Sequence, residues 1–426
     1  FGSEQAHMDQ DRLKDDIANA PMITVRRRLI DEGLASEERL AAIDEAAKEE
    51  VERAEAFAKN SPDPEPAELY TEIFESAQYL PEGPGEGGVS APEPEPASMS
   101  KMTFGQAVTN ALDTALASDE SVFVLGEDLQ DPAGGIVKQT IGLSTKHGDS
   151  RVRGTPISEQ AIVGASIGAA IAGMKPVAEI MVVDFAMVCM DQIANHAAKL
   201  RYMSGGRTSV PLTIRMLTAG NVGSFGAQHS QSLESWFAHT PGLKVVAPST
   251  AFDAKGLLLS CIHDPDPCIS IEAMRCFFAP GDVGDGDYRV PLGKAAVRQE
   301  GGDVTLISYS WGMQEVFGAA QALSEDGVSC EIIDLRSIVP LDLNTVLSSV
   351  SKTGRALIVH PAVEFCGFGA ELSAKIHEEL FDKLKAPVAR LGARYTPIPF
   401  NQGLEALHFP NAAGVVATVK GMLSKG

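Results

Sequence analysis

Cysteine is sparse and unpatterned in this sequence. The 426 residues contain six, at positions 189, 261, 268, 276, 330 and 366. None forms a Cys-x-x-Cys pair, and no Cys/His cluster has the spacing of a zinc site. A chain of this length buries enough surface to fold without disulfide staples, so the expectation is reduced, mostly buried thiols in a cytoplasmic or other reducing compartment. Long apolar runs are also missing. The longest nearly uninterrupted one, Ala161–Met174, ends at Lys175; it is too short for a membrane span and reads as a buried helix. No signal-peptide pattern is visible. Positive charge is scarce, with 35 Lys and Arg against 57 Asp and Glu, a net charge of −22. That balance argues against non-specific binding to a phosphate backbone.

What is present is enough for a folded protein of two or three domains: 44% hydrophobic residues and a mean hydropathy near zero. The charge is uneven, because the first hundred residues alone hold 24 acids and 9 bases. Within them, residues 11–60 have apolar pairs three and four apart and an Ala/Glu/Lys-rich stretch, which predicts helices, with Ser36 opening one of them. Residues 80–98 are dominated by Pro, Gly and Glu, with almost nothing to bury, which predicts an extended, self-repelling and mobile tether.

From residue 101 the texture becomes α/β. Short β-branched runs at 122–125, 177–183, 210–215 and 244–247 alternate with helical segments at 162–172, 187–203 and 252–262. These runs lack strict alternation, as strands buried on both faces do. Residues 279–292 are turn-rich. After them, strands are expected at 304–309, 330–334, 356–360 and 388–391, with helices between. The expected organisation is a helical arm over 1–79, an acidic linker over 80–100, an α/β domain with a parallel sheet over 101–280, an interdomain linker over 281–292 and a second α/β domain over 293–426.

Chemistry is thinly marked. Gly284-Asp285-Gly286 has the form of the GDG…Asn motif that holds a magnesium diphosphate, but the next asparagine is Asn344, in the other domain, and turn chemistry accounts for the triplet. There is no Walker A loop, and Gly164, Gly168 and Gly173 suit helix packing rather than a dinucleotide site. Two loops remain. Gly226–Gln231 places His229 in a Gly-containing loop after a strand, an acid/base candidate, while a lone loop His is more often a surface or helix-capping residue. Thr155–Gln160 places Glu159 at a helix start, where Ser158 is a candidate cap.

Taken in order, several segments carry a resemblance: VFVLGEDL (122–129), GTPISEQAIVGASIGAAIAGMKPVAEI (154–180), DFAMVCMDQIANHAAKLRYMSGG (184–206), VPLTIR (210–215), GAQHSQSLESWFAHTPGLKVVAPS (226–249), DAKGLLLSCIHDPDPC (253–268), DLRSIVPLD (334–342) and PIPF (397–400). Residues 101–425 resemble the β subunit of the thiamine diphosphate-dependent E1 component of 2-oxo acid dehydrogenase complexes. Residues 26–74 resemble the C-terminal tail of an E1 α subunit. The resemblance implies a pyrimidine-binding domain, a transketolase-type C-terminal domain and an N-terminal helical arm. It also implies that the chain shares thiamine diphosphate with an α-type partner that carries the Mg²⁺ and diphosphate site, that a second copy completes an α₂β₂-like assembly, and that a lipoyl-bearing E2 takes the product.

Carried over residue by residue, the resemblance makes Glu159 the carboxylate at N1′ of the aminopyrimidine, Phe185 the aromatic stacked on that ring, and Glu127 a carboxylate of the same pocket. His229 becomes the proton donor in acyl transfer to the lipoyl dithiolane. The loop at Ile262, Asp264 and Asp266 matches one that holds a monovalent cation such as K⁺ through backbone carbonyls. Tyr202 and Arg215 lie in matched motifs and read as structural. The sequence departs from the family pattern at Met216–Val222, at Ala273–Phe277 and at His360–Glu364. The substrate therefore stays open between pyruvate, branched-chain 2-oxo acids and acetoin. The reading favoured is oxidative decarboxylation of a 2-oxo acid; the rivals are cleavage of acetoin or another diketone-like substrate, and a non-catalytic scaffold subunit.

Overall fold

The computed structural model describes residues 9–75 and 92–424. The chain divides into two compact units, Phe1–Leu69 and Tyr70–Gly426. The first unit is helical, as its composition predicts, but broken into Gln10–Ala18, Pro21–Asp31 and Glu37–Asn60. Pro21 opens the second helix, where its missing N–H costs nothing. Ser36 caps the third by accepting the N–H of Arg39 at 3.2 Å. Arg26 ties the second and third helices together through Glu37 and Asp44, at 2.9 and 2.6 Å.

The second unit contains fourteen strands among its described residues: β1 (Met99–Thr103), β2 (Val122–Glu127), β3 (Val152–Thr155), β4 (Lys175–Ile180), β5 (Thr213–Thr218), β6 (Lys244–Val246), β7 (Cys268–Ala273), β8 (Pro280–Gly284), β9 (Ala296–Gln299), β10 (Val304–Ser308), β11 (Cys330–Asp334), β12 (Ser337–Val339), β13 (Ala356–Val363) and β14 (Ala389–Ala393). Seven form one sheet in the order β12-β6-β7-β5-β4-β2-β3, parallel except at β12. Five form another in the order β14-β13-β10-β11-β9, parallel except at β9. Such sheets bury both faces, which is why β5, β7, β10 and β11 are buried at every position. β12 comes from the later half of the chain yet extends the first sheet, so the two sheets are laced together by backbone.

The turn-rich stretch after residue 278 does more than link. β8 pairs antiparallel with β1, register Met99 to Gly284. The Asp285 carboxylate of the GDG triplet accepts the hydroxyls of Ser98 and Ser100 at 2.6 and 2.8 Å. Residues 80–91 of the expected tether lie outside the described residues. At its end, Arg336 meets Glu93 with two hydrogen bonds of 2.6 and 3.1 Å, a bidentate geometry specific to guanidinium and carboxylate. Ahead of the tether, Phe74 is buried and Lys244 lies over its ring, 5.6 Å from the centroid. The single helix expected over 187–203 takes a wound path whose pitch changes, from a 3₁₀ segment at Val183–Cys189 to a π segment at Gln192–Ala197 and an α turn at Leu200–Met203.

Candidate active site

Four neighbouring parallel strands run β5-β4-β2-β3. In an open α/β sheet, ligands bind in the crevice outside the carboxyl ends of such strands. Glu127 is the last residue of β2. Glu159 is the first residue of the helix Glu159–Ile171, directly after β3. Phe185 lies in the 3₁₀ segment after β4, and His229 in the loop after β5. The topology thus gathers four residues from separate motifs on one side of one sheet.

Their environments differ. Glu159 is 8% exposed, and its carboxyl has no hydrogen-bond partner among the described residues. Ser158 does not cap the helix as its position suggested; its hydroxyl donates to the Pro156 carbonyl at 3.0 Å. Glu127 is half-buried, and burial, then the charges of Glu159 and Asp128, push its pKa up. The ring of His229 meets that of Phe185 edge-on, centroids 5.3 Å apart at 79°. His229 itself is exposed. The loop is tied back by Gln231, whose amide donates to Asp184 Oδ1 at 2.8 Å. The other oxygen of Asp184 is buried without a partner, and burial raises this carboxyl's pKa against the hydrogen bonds from Gln231.

Beneath the site, Arg215 on β5 is fully buried between Glu179 on β4 and Glu272 on β7. Its guanidinium donates to Glu272 at 2.8 and 2.7 Å, to Glu179 at 2.7 Å and to Gln139 Oε1 at 2.6 Å. Arg215 is structural, as read. Glu179, Glu272 and Gln139 were missed; for the two glutamates the signal available was an acid within an apolar strand, and Gln139, in a turn, carried none. Tyr202 is exposed.

At the loop proposed for a cation, the side chains of Asp264 and Asp266 are engaged by protein charges. Lys244 Nζ stands 2.7 Å from Asp264 and 3.0 Å from Asp266, and Arg201 donates to Asp266 at 2.7 Å. Among the described residues no group of three or more His, Cys, Asp or Glu is placed to hold a metal ion. A cavity of about 410 Å³ opens beside the His229 loop, lined by Ala227, Gln231 and Leu233 on one side and Pro361, Tyr395 and His408 on the other. Glu127, Glu159 and Phe185 are not part of its lining.

Comparison with known proteins decides the family. Residues 100–273 match the pyrimidine binding domain of transketolase, and residues 293–415 match the transketolase C-terminal domain. The beta subunit of acetoin:2,6-dichlorophenolindophenol oxidoreductase from Cupriavidus necator is 42% identical over 335 residues, 76% of this chain and 98% of that protein. The beta subunit of the pyruvate dehydrogenase E1 component from Bacillus subtilis is 41% identical over 326 residues, 76% of this chain and 99% of that one. The 2-oxoisovalerate dehydrogenase subunit beta of Pseudomonas aeruginosa is 42% identical over 341 residues, 76% and 95% respectively. This chain belongs to the E1 beta family of 2-oxo acid dehydrogenases.

Enzymes of the E1 beta family are thiamine diphosphate-dependent oxidoreductases, and the fold agrees. A solved structure described as a split gene transketolase, inactive beta4 tetramer, superposes with a TM-score of 0.62 at 22% identity, covering 76% of this chain and 98% of that one. The residues present suit the pyrimidine half of the cofactor. Glu159, 8% exposed at the head of its helix, offers a carboxyl, and Phe185, in the 3₁₀ segment after β4, offers an aromatic ring. Of the three departures from the family pattern, Arg275 pairs with Glu315 and lies over Trp311, and His360 is buried in β13 with Nδ1 3.0 Å from the Ala362 carbonyl. The third, Met216–Val222, leads into the His229 loop.

Proposed function

We propose that the chain acts as the β half of an α/β E1 assembly that oxidatively decarboxylates a 2-oxo acid and passes the acyl group to a lipoyl group on an E2 component. What carries this reading is the placement of Glu127, Glu159, Phe185 and His229 at four adjacent strand ends, in a chain that covers its E1 beta relatives almost end to end with 76% of its own length. An α-type domain or subunit completes the site with Mg²⁺ and the diphosphate cradle, and a second copy of the pair gives an α₂β₂-like assembly. The six free thiols suit a reducing, cytoplasmic setting. With the carboxylates of Asp264 and Asp266 already engaged, only backbone carbonyls of that loop are left to a monovalent cation.

When bound, thiamine diphosphate supplies the carbon nucleophile that takes the substrate carbonyl and accepts the electron pair left by CO₂. Glu159 holds a proton at N1′ of the aminopyrimidine. Phe185 fixes the plane of the ring. Reduction of the lipoyl disulfide consumes two electrons; the acyl group bonds to one sulfur and the other takes up a proton. His229, exposed at the mouth of the site, donates that proton.

The test is His229→Ala in the assembled enzyme. General acid catalysis is worth about 10²–10⁴-fold, and acyl transfer to the lipoyl group should fall by that much. Decarboxylation read with an artificial dye acceptor needs no such proton and should fall less. Equal losses in both assays, with weaker cofactor binding, would make His229 a loop-ordering residue instead. A second reading has one observation in its favour, the acetoin-linked name of the Cupriavidus relative; acetoin turnover exceeding that of every 2-oxo acid tried would select it.

A further inference from the structure

The loop carrying His229 is strained at its start. After β5 the chain runs Ala219-Gly220-Asn221-Val222-Gly223-Ser224, with φ of 62° at Asn221, 102° at Gly223 and 63° at Ser224. Two non-glycine residues in the left-handed region within four positions are unfavourable and persist only where neighbours over-determine them. Those neighbours come from the far end of the chain. Glu405, in the helix Gln402–His408, is 1% exposed. One of its carboxylate oxygens accepts the Asn221 N–H at 3.0 Å and the other the Ser224 N–H at 3.2 Å. Among the described residues it forms no ion pair, so two strained backbone amides are what this buried carboxylate binds.

The fit around the clamp is close. A Cβ on Gly223 would meet the Gln402 side chain at 3.0 Å, and one on Gly220 would meet the Phe409 ring at 3.0 Å and the Ser230 carbonyl at 2.8 Å. At its far side the loop is tied by Thr218, whose hydroxyl donates to the Gln231 carbonyl at 2.8 Å, and by the Gln231–Asp184 bond. His229 is suspended between these two attachments, with its own amide on the Gly226 carbonyl at 3.4 Å.

We propose that Glu405 is a positioning residue for His229: its carboxylate, by holding the Asn221 and Ser224 amides, sets the loop so that the imidazole stands against Phe185. The proposal rests on the reading of His229 given above. It assigns the C-terminal half of the chain a part in acyl transfer without contact with any reacting atom.

Glu405→Gln is the discriminating change. It is nearly isosteric, but one of the two acceptors becomes an NH₂ facing an N–H, so one attachment is lost and replaced by a clash of donors. Misplacing a catalytic group by about 1 Å can cost about 10²-fold, so acyl transfer to the lipoyl group should fall by about 10–100-fold in the assembled enzyme, and dye-linked decarboxylation by less. In the His229→Ala background, Glu405→Gln should add no further loss, because the group it positions is gone. Amide exchange over residues 220–229 should accelerate in the variant, with the rest of the chain unchanged. Losses that multiply across the two variants, or unchanged exchange in the loop, would overturn the proposal. If His229→Ala alone leaves acyl transfer intact, the reading of His229 fails, and the exchange measurement still decides whether Glu405 orders the loop.

Discussion

Glu159, the first residue of its helix, is the residue proposed to hold a proton against a ligand nitrogen. Glu159→Gln keeps the shape but cannot exchange a proton. In the holoenzyme it should slow exchange of the thiamine C2 proton severely, followed by NMR, while the α/β assembly stays intact by sedimentation; wild-type exchange in the variant would remove Glu159 from the chemistry. Arg215 makes the opposite case. Arg215→Met leaves Glu179 and Glu272 buried without their cation and should cost about 3–5 kcal/mol in urea unfolding. Replacing both carboxylates by glutamine in the same background should recover part of that loss. The roles proposed for Glu127, Glu159, Phe185 and His229 rest on resemblance, since none stands in a pattern that spacing alone would single out. Glu405 was not legible at all, because its partners are backbone amides some 180 residues earlier in the chain.

Among the elements, β11, Cys-Glu-Ile-Ile-Asp, was readable to the residue, since its β-branched pair follows closely on the turn signal at Asp326-Gly327. β1 and β8 were not, because each is short and partly polar and the partner strand is remote. The stretch 187–203 was legible as helical but its changing pitch was not, since apolar spacing marks a helix without fixing its pitch. β13 carries a testable consequence of burial. Burial, aided by the charge of Arg390 and opposed by the Ala362 carbonyl, pushes the His360 imidazole from its ordinary 6.5 down to about 4. Between those values the unfolded chain takes up a proton that the folded one refuses. Stability is therefore full above about pH 6.5 and is lost as pH falls toward 4, by about 3 kcal/mol from this group. His360→Gln should be less stable at neutral pH, having lost its stacking on Tyr309, but should show a shallower acid limb in urea unfolding at stepped pH. Parallel limbs for the two proteins would assign the acid sensitivity elsewhere.

At the scale of the molecule, the second unit carries the match to the pyrimidine binding domain of transketolase, and the diphosphate cradle is proposed to come from an α-type partner. Net negative charge concentrated in the first hundred residues and exposed apolar side chains on the first unit, such as Met22 and Phe57, suit a segment made to pack on an α-type domain. The most direct measurement is dye-linked turnover of pyruvate and 3-methyl-2-oxobutanoate by this chain assembled with an E1 α-type subunit, thiamine diphosphate and Mg²⁺. Release of CO₂ with dye reduction that requires the cofactor and disappears with Glu159→Gln is the predicted result. An assembled enzyme that binds the cofactor yet turns over neither acid nor acetoin would contradict the account and leave the chain a scaffold.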